Sequence, residues 1–233
     1  MSSESLLKPS PLIPVTRTDI VQSLIDGVDR YNPDNVSILE DYLGQQLQNE
    51  EYDLMANLAI LKLYQFNPHL VNEHVIINIL VKALTAIPNP DFNLCLYLLH
   101  ESSLADESIT KLTELQQCLE QARFREFWEI YGDESCKELA SEATGFEDAI
   151  RKVILTTITM AYQSISVNLL SSYLNYNPAD KEFESFIQSR GLEIKEEVVH
   201  IPKNADNDAK PTVIRENIKF EQLTKVVGYS NEL

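Results

Sequence analysis

The stretch YDLMANLAILKLYQFNP, residues 52–68, decides how the rest of the chain reads. Leu54, Leu58 and Leu61 fall on one helical stripe, while Ala56, Ala59, Leu63 and Phe66 fall on other sides. Lys62 is the only charge between Asp53 and His69. A helix that is apolar nearly all round has to be covered on two sides, so this one predicts the middle layer of a stack of helices and not its edge.

The pattern continues in both directions. Toward the N-terminus, Thr18 reads as the cap of a helix carrying Ile20, Leu24, Ile25 and Val28 on one stripe. Asn32-Pro33 breaks that helix, because a proline disfavours the α region for the residue before it. Asp34 or Asn35 then opens a second helix with Ile38, Leu39, Tyr42, Leu43 and Leu47. Toward the C-terminus, further helices are predicted over residues 70–87, 91–101, 106–121 and 123–131, with Pro88 and Pro90 ending the first of them. Successive pairs with short connections, roughly 30–40 residues per pair, predict a HEAT- or tetratricopeptide-like right-handed helical array over residues 17–143. The array is degenerate, since no clean sequence repeat accompanies it. Residues 1–16, with Pro9, Pro11 and Pro14, read as a flexible N-terminal tail.

The texture changes after residue 143. Thr144 and Glu147 read as a capping box opening a long apolar helix through Ile150, Val153, Ile154, Ile158 and Ala161. Two shorter helices, 166–176 and 179–190, follow on either side of Asn177-Pro178, and Gly191 ends the second. EEVVHIP and TVIRENIKF then flank the polar loop KNADNDAKP, which has the composition of a mobile wing tip. Three helices followed by strand, loop and strand are the order of a winged helix with a small β wing, predicted over residues 144–219. Residues 220–233 read as a C-terminal helix and tail. The fold class is therefore mainly α: a helical array followed by a winged-helix domain.

Charge excludes some functions. The chain of 233 residues has a formal net charge of −17. Residues 1–150 hold 9 Lys/Arg and 25 Asp/Glu, a net −16, which repels phosphate backbones. The second winged-helix helix carries Asp180, Glu182 and Glu184 where a DNA-reading helix needs Arg or Lys. Cys95, Cys118 and Cys136 are odd in number and form no CxxC pair, which argues for core hydrophobes in a reducing compartment and against a zinc site. The N-terminus lacks the apolar run of a signal peptide, and no stretch of about 18 uncharged apolar residues predicts a membrane span.

Candidate chemistry is sparse. His69 and His74 are five apart, whereas an HExxH zinc site sets its histidines four apart. There is no GxSxG, GxxxxGK[ST] or GxGxxG. Phe124, Phe127 and Trp128 of the FREFW cluster share one helical face at i, i+3 and i+4, a core arrangement more than a binding one. Tyr31, Tyr52 and Tyr64 read as packing residues. No catalytic residue, metal ligand or cofactor site is assigned.

The chain resembles the subunit k family of eukaryotic translation initiation factor 3. The resemblance rests on DRYNPDN (29–35), YDLMANLAILKLYQFNP (52–68), FREFW (124–128) and TGFEDAIRKVI (144–154), and covers nearly everything after the N-terminal tail. The tail itself looks like an extension beyond the family's usual start. The resemblance implies a cytoplasmic, non-enzymatic scaffold without cofactor, built as a HEAT-like domain joined to a winged helix and related to PCI domains. It implies partnership with other subunits of the factor, subunit l in particular, and through them with the small ribosomal subunit.

The winged helix offers protein contact through strand edges. Candidate interface residues are Val198, Val199, Ile201, Val213, Ile214 and Ile218 on the wing and Phe220, Leu223, Val226 and Val227 on the last helix. That helix either joins a bundle with the C-terminal helices of other subunits or folds back on its own winged helix. The competing expectation is a module contacting ribosomal RNA through Lys195, Lys203, Lys210, Arg215, Lys219 and Lys225.

Overall fold

A computed structural model describes Pro14, residues 17–209 and residues 219–230. Asp53 opens the central helix α3 (Leu54–Phe66) by accepting from the Ala56 N–H at 3.1 Å. Ala56, Ala59, Ile60, Leu61, Leu63 and Tyr64 are buried around its circumference. The helices α1 (Asp19–Asp26), α2 (Val36–Gln48), α4 (Glu73–Leu84) and α5 (Asp91–Leu96) all pack on it. The middle-layer position expected from the sequence is thus the observed one. Thr18 caps α1, its hydroxyl accepting from Val21 N. The buried stripe of α1 is Val21, Leu24 and Ile25, not the expected set with Ile20 and Val28. The helix stops at Asp26, so Val28 leaves its register and lies exposed in a separate 3-10 turn, Val28–Tyr31.

A polar seam runs through this apolar layer. Arg17 clamps the Asp53 carboxylate with two bonds, Nε to Oδ2 at 2.6 Å and Nη2 to Oδ1 at 2.5 Å. The two side chains are 3% and 0% exposed. Tyr42 Oη donates to the same carboxylate at 3.2 Å. Gln46 on α2 accepts from the Asp53 N–H at 2.8 Å and donates to Asn57 Oδ1 at 3.0 Å, and its own carbonyl accepts from Lys82 Nζ at 3.3 Å. Buried polar groups survive in a core only when matched this way.

The array continues through α6 (Glu101–Leu104), α7 (Glu107–Glu120), α8 (Phe124–Tyr131) and α9 (Glu134–Leu139). Asn72 and Asp106 cap α4 and α7 by accepting from the N–H two residues on. Pairs α4–α5 and α7–α8 pack as neighbours, and α4 also meets α7 and α9. The aromatic face of α8 is core, as its spacing predicts. Phe124, Phe127, Trp128 and Tyr131 are buried, with Phe127 stacked on Tyr131 at 5.9 Å and edge-on to Trp128 at 5.1 Å.

The long helix α10 (Phe146–Ala161) starts without the expected capping box. Its N-cap is Gly145 at φ +70°, where an added Cβ would meet the Glu50 side chain at 2.6 Å. The Thr144 N–H donates to Leu47 O at 3.0 Å, and Glu147 turns to Arg151 at 3.0 Å. Docking of this turn on the α2–α3 loop takes precedence over the local cap.

The winged helix then runs β1 (Ser164–Ser166), α11 (Val167–Leu174), α12 (Lys181–Ser189), β2 (Glu193–Lys195), β3 (Val198–His200). The three strands form an antiparallel sheet in the order β1-β3-β2, with Val199 opposite both Ile165 and Ile194. Among the described residues, the wing's hairpin comes earlier in the chain than expected. Glu196 and Glu197, at φ +49° and +64°, close a two-residue hairpin. The segment expected as a mobile wing tip is instead fastened to the end of α10: Asn207 Nδ2 donates to Thr159 O and Tyr162 O, both at 3.1 Å, and Asn204 Nδ2 to Thr159 O at 2.9 Å. The second wing strand expected at 212–218 lies outside the described residues.

Several contacts join α8 and α10 to α11, among them Arg125 Nε–H donating to Ser172 Oγ at 3.0 Å. Trp128 Nε1–H donates to Tyr173 O at 2.8 Å and Arg151 Nε to Leu174 O at 3.1 Å. These are the last carbonyls of α11, which have no partner within the helix. The Arg151 guanidinium lies over Tyr176 at 4.5 Å and Trp128 at 5.4 Å.

Candidate protein-interaction surface

Among the described residues, the helix α13 (Phe220–Ser230) presents the most accessible of the expected interface residues. Leu223 and Val227, one turn apart and therefore on one face, are 45% and 56% exposed. Phe220 and Val226 lie on the same helix. Tyr229 is exposed as well. Apolar side chains at i and i+4 facing water on a terminal helix are what a helix-in-groove or bundle contact uses.

The wing residues have a different place from the one expected. Val199 and Ile201 are buried and Val198 is half-buried. Val198 and Val199 lie on β3, the middle strand, whose backbone groups are already paired on both sides, and the Ile201 N–H beyond it donates to Gln163 O at 3.0 Å. Among the described residues the sheet's outer edges belong to β1 and β2, and Ile194 on β2 is an exposed apolar residue there. Val213, Ile214 and Ile218 lie outside the described residues. Periodicity identified β3 as a strand; its neighbours were hidden because β1 is only three residues long and sits about 30 residues earlier in the chain.

The surface of α12 carries exposed Glu182 and Glu184, as the sequence suggests. Of the basic residues available for RNA, Lys195 is paired with Glu193 at 2.6 Å and Lys203 with Asp208 at 3.2 Å. The hydrogen bond from Lys195 holds the Glu193 carboxyl below its ordinary range. Lys219 and Lys225 are exposed, and Lys210 and Arg215 lie outside the described residues.

Sequence reasoning missed one exposed aromatic pair. Tyr31, expected to pack, is exposed and meets the exposed Phe66 edge-on at 6.2 Å. Arg30 lies over the Tyr31 ring at 5.1 Å and Lys62 over Phe66 at 4.9 Å. The position of Phe66 at the last residue of α3 was the available signal, since a helix end lies outside the layer that covers its middle.

The residues that invite a catalytic reading are committed elsewhere. Cys95 is buried, and burial pushes its thiol up to about 12, with Asp91 adding to the shift. Burial also raises the Cys118 and Cys136 thiols. Thiols held neutral in this way are poor nucleophiles and metal ligands. His74 Nε2 meets Glu142 Oε2 at 2.9 Å on the surface, and His69 lies in the separate 3-10 turn Pro68–Leu70. Among the described residues, no helix is long and apolar enough to cross a membrane.

The comparisons with known proteins agree with this architecture. A family model described as the CSN8/PSMD8/EIF3K family matches residues 70–213. The chain is 41% identical to a protein of Phaeosphaeria nodorum named eukaryotic translation initiation factor 3 subunit K, over 93% of this chain and 95% of that one. A protein of the same name from Mycosarcoma maydis is 38% identical over 98% and 97% of the two chains. One from Cryptococcus neoformans is 40% identical over 92% of each.

Proposed function

Because the chain belongs to the CSN8/PSMD8/EIF3K family, we propose that it is a subunit of the eukaryotic translation initiation factor 3 complex, acting in translation initiation as a non-catalytic scaffold. It works in the cytoplasm, binds other subunits of that factor, subunit l in particular, and through them supports assembly on the small ribosomal subunit. No bond is made or broken. Its contribution is rigid surface held at a fixed angle. The helical array and the winged helix are locked by Trp128 and Arg151 against α11.

The observation that supports docking through the C-terminal helix is the exposed Leu223–Val227 face. Burying two such side chains contributes roughly 1.5–3 kcal/mol each, a useful share of a subunit contact. Ribosomal RNA as the direct partner has less behind it, since Lys195 and Lys203 already have acid partners.

The test is affinity recovery of the tagged full-length chain from cells, with mass spectrometry of what accompanies it. The expected result is recovery of initiation factor 3 subunits, subunit l among them, and its loss in Leu223→Asp/Val227→Asp. Recovery of no such subunit by the unaltered chain would overturn the assignment. Full recovery by the double variant would remove α13 as the docking element.

A further inference from the structure

The side of α3 that faces water is largely apolar. Met55 and Phe66 are 43% and 59% exposed, and Leu58 and Lys62 are half-buried. These four residues form one stripe at i, i+3, i+7 and i+11. A helix stripe left in water is normally polar. The single charge here, Lys62, donates from Nζ to Gln65 Oε1 at 2.8 Å and lies over the Phe66 ring at 4.9 Å, so its stem covers the stripe as well. Tyr31 extends the stripe at its Phe66 end, where the two rings meet edge-on at 6.2 Å. The Met55 end stands beside the place where the chain enters the described fold. Arg17 is clamped to Asp53, the cap of α3, and the Arg17 N–H donates to Pro14 O at 3.1 Å.

Residues 1–13 lie outside the described residues, and their sequence matches this stripe. Pro9, Pro11 and Pro14 have a fixed φ, and Lys8, Ser10 and Ile13 each precede a proline and are pushed into the extended region. Residues 8–14 therefore favour a polyproline II helix. With about three residues per turn, that helix puts Leu6, Pro9 and Leu12 on one face. Leu6 to Leu12 spans about 19 Å at about 3.1 Å per residue, and Met55 to Phe66 spans about 17 Å at about 1.5 Å per residue. We propose that residues 6–12 lie along α3 as an intramolecular strap. Leu12 rests on Met55, Pro9 on the Lys62 stem, and Leu6 on the Tyr31–Phe66 pair. A segment tethered beside its seat has an effective concentration on the order of mM, which favours it over any free occupant. Its pre-extended backbone loses little freedom on docking, and an aromatic-walled surface is what such segments use. The array thereby covers its own apolar stripe instead of presenting it to another subunit. The contact is made within one chain and stands apart from the assembly role proposed above.

Disulfide trapping in the purified full-length chain tests the register, since Cys95, Cys118 and Cys136 are buried. A freely moving tail would bring Leu6 more often to Met55, the end nearer its attachment. The strap reverses that order. Under a mild oxidant, Leu6→Cys/Phe66→Cys is expected to close within the monomer about tenfold faster than Leu6→Cys/Met55→Cys, each checked for an unchanged melting temperature. Adding Pro9→Asp and Leu12→Asp should abolish that preference. Faster closure at Met55, equal rates, or a preference that Pro9→Asp/Leu12→Asp leaves intact overturns the strap. Disulfides joining two molecules overturn it in favour of a contact between copies of the chain. In whatever assembly the tagged chain enters in cells, a photo-reactive benzophenone side chain in place of Tyr31 is expected to join residues 5–8 of its own chain. Joining another polypeptide instead overturns the strap and makes the α3 stripe a contact with that partner.

Discussion

Replacing Arg17 tests the polar seam that holds the N-terminal end of the described fold. Asp53 is fully buried and receives two short bonds from Arg17, one from Tyr42 and one from the Ala56 N–H. Arg17→Met keeps most of the apolar stem but leaves the carboxylate with two neutral donors and no counter-charge. Removing one partner of a buried pair costs about 3–5 kcal/mol, because the remaining charge stays desolvated. In a chain of this length each kcal/mol moves the melting temperature by roughly 2–4 °C, so a fall of about 10 °C is expected. Circular dichroism melts at pH 7 give the number, provided the transition is reversible. Asp53→Asn combined with Arg17→Met should lose less than the two single changes added together, since no unpaired charge is left behind. A loss below about 1 kcal/mol for Arg17→Met, or simple additivity in the cycle, would show that the pair behaves like a solvent-screened surface bridge and would refute the reasoning.

Two further expectations come from charge and backbone. Burial pushes the Lys82 ammonium down to about 8, partly opposed by Glu50 and Glu51. Its folded pKa lies below the unfolded value of 10.5, so the protonated side chain costs stability below about pH 8 and the cost disappears as pH rises toward 10.5. That gap corresponds to about 3 kcal/mol, so Lys82→Met should flatten the pH dependence of stability between pH 8 and 10 in urea titrations. Because the change also removes the bond to Gln46 O, its net gain at pH 7 is smaller, about 2 kcal/mol. An unchanged pH slope would count against a buried charged Lys82. Glu197 sits at φ +64° in the wing hairpin, a region that costs a side-chain-bearing residue roughly 1 kcal/mol. Glu197→Gly should therefore stabilise the chain by a few tenths to about 1 kcal/mol in the same titrations, and a clear destabilisation would mean that its side chain has a task in the fold.

The polar seam also bears on how a stack of apolar helices keeps one packing. An array held by leucine and isoleucine alone has many nearly equivalent packings. Gln46 bonded to Asn57 and to the Asp53 N–H fixes one register of α2 on α3, because a shift of one residue would leave several buried groups unmatched. Lys82 ties α4 into the same register through the Gln46 carbonyl. Such a core fixes how α2, α3 and α4 sit on one another.

Much of the architecture is local and was therefore legible in the sequence. The all-round apolar helix at 54–66, the cap at Thr18, the core face of Phe124, Phe127 and Trp128, and the helix order of the winged helix follow from side-chain period and cap chemistry within a turn or two. What tertiary structure alone decided involves residues far apart in the chain. Arg17 finds Asp53 across 36 positions, and Asn207 reaches back 48 positions to the Thr159 carbonyl. The turn at Gly145 gives up its local cap to dock beside Glu50. Val199 reads as a strand residue in either case; that it lies in the middle of a sheet and not at an edge depends on β1, delivered from residues 164–166. Periodicity records which way a side chain faces on its own element, and it carries no information about which other element arrives to cover it.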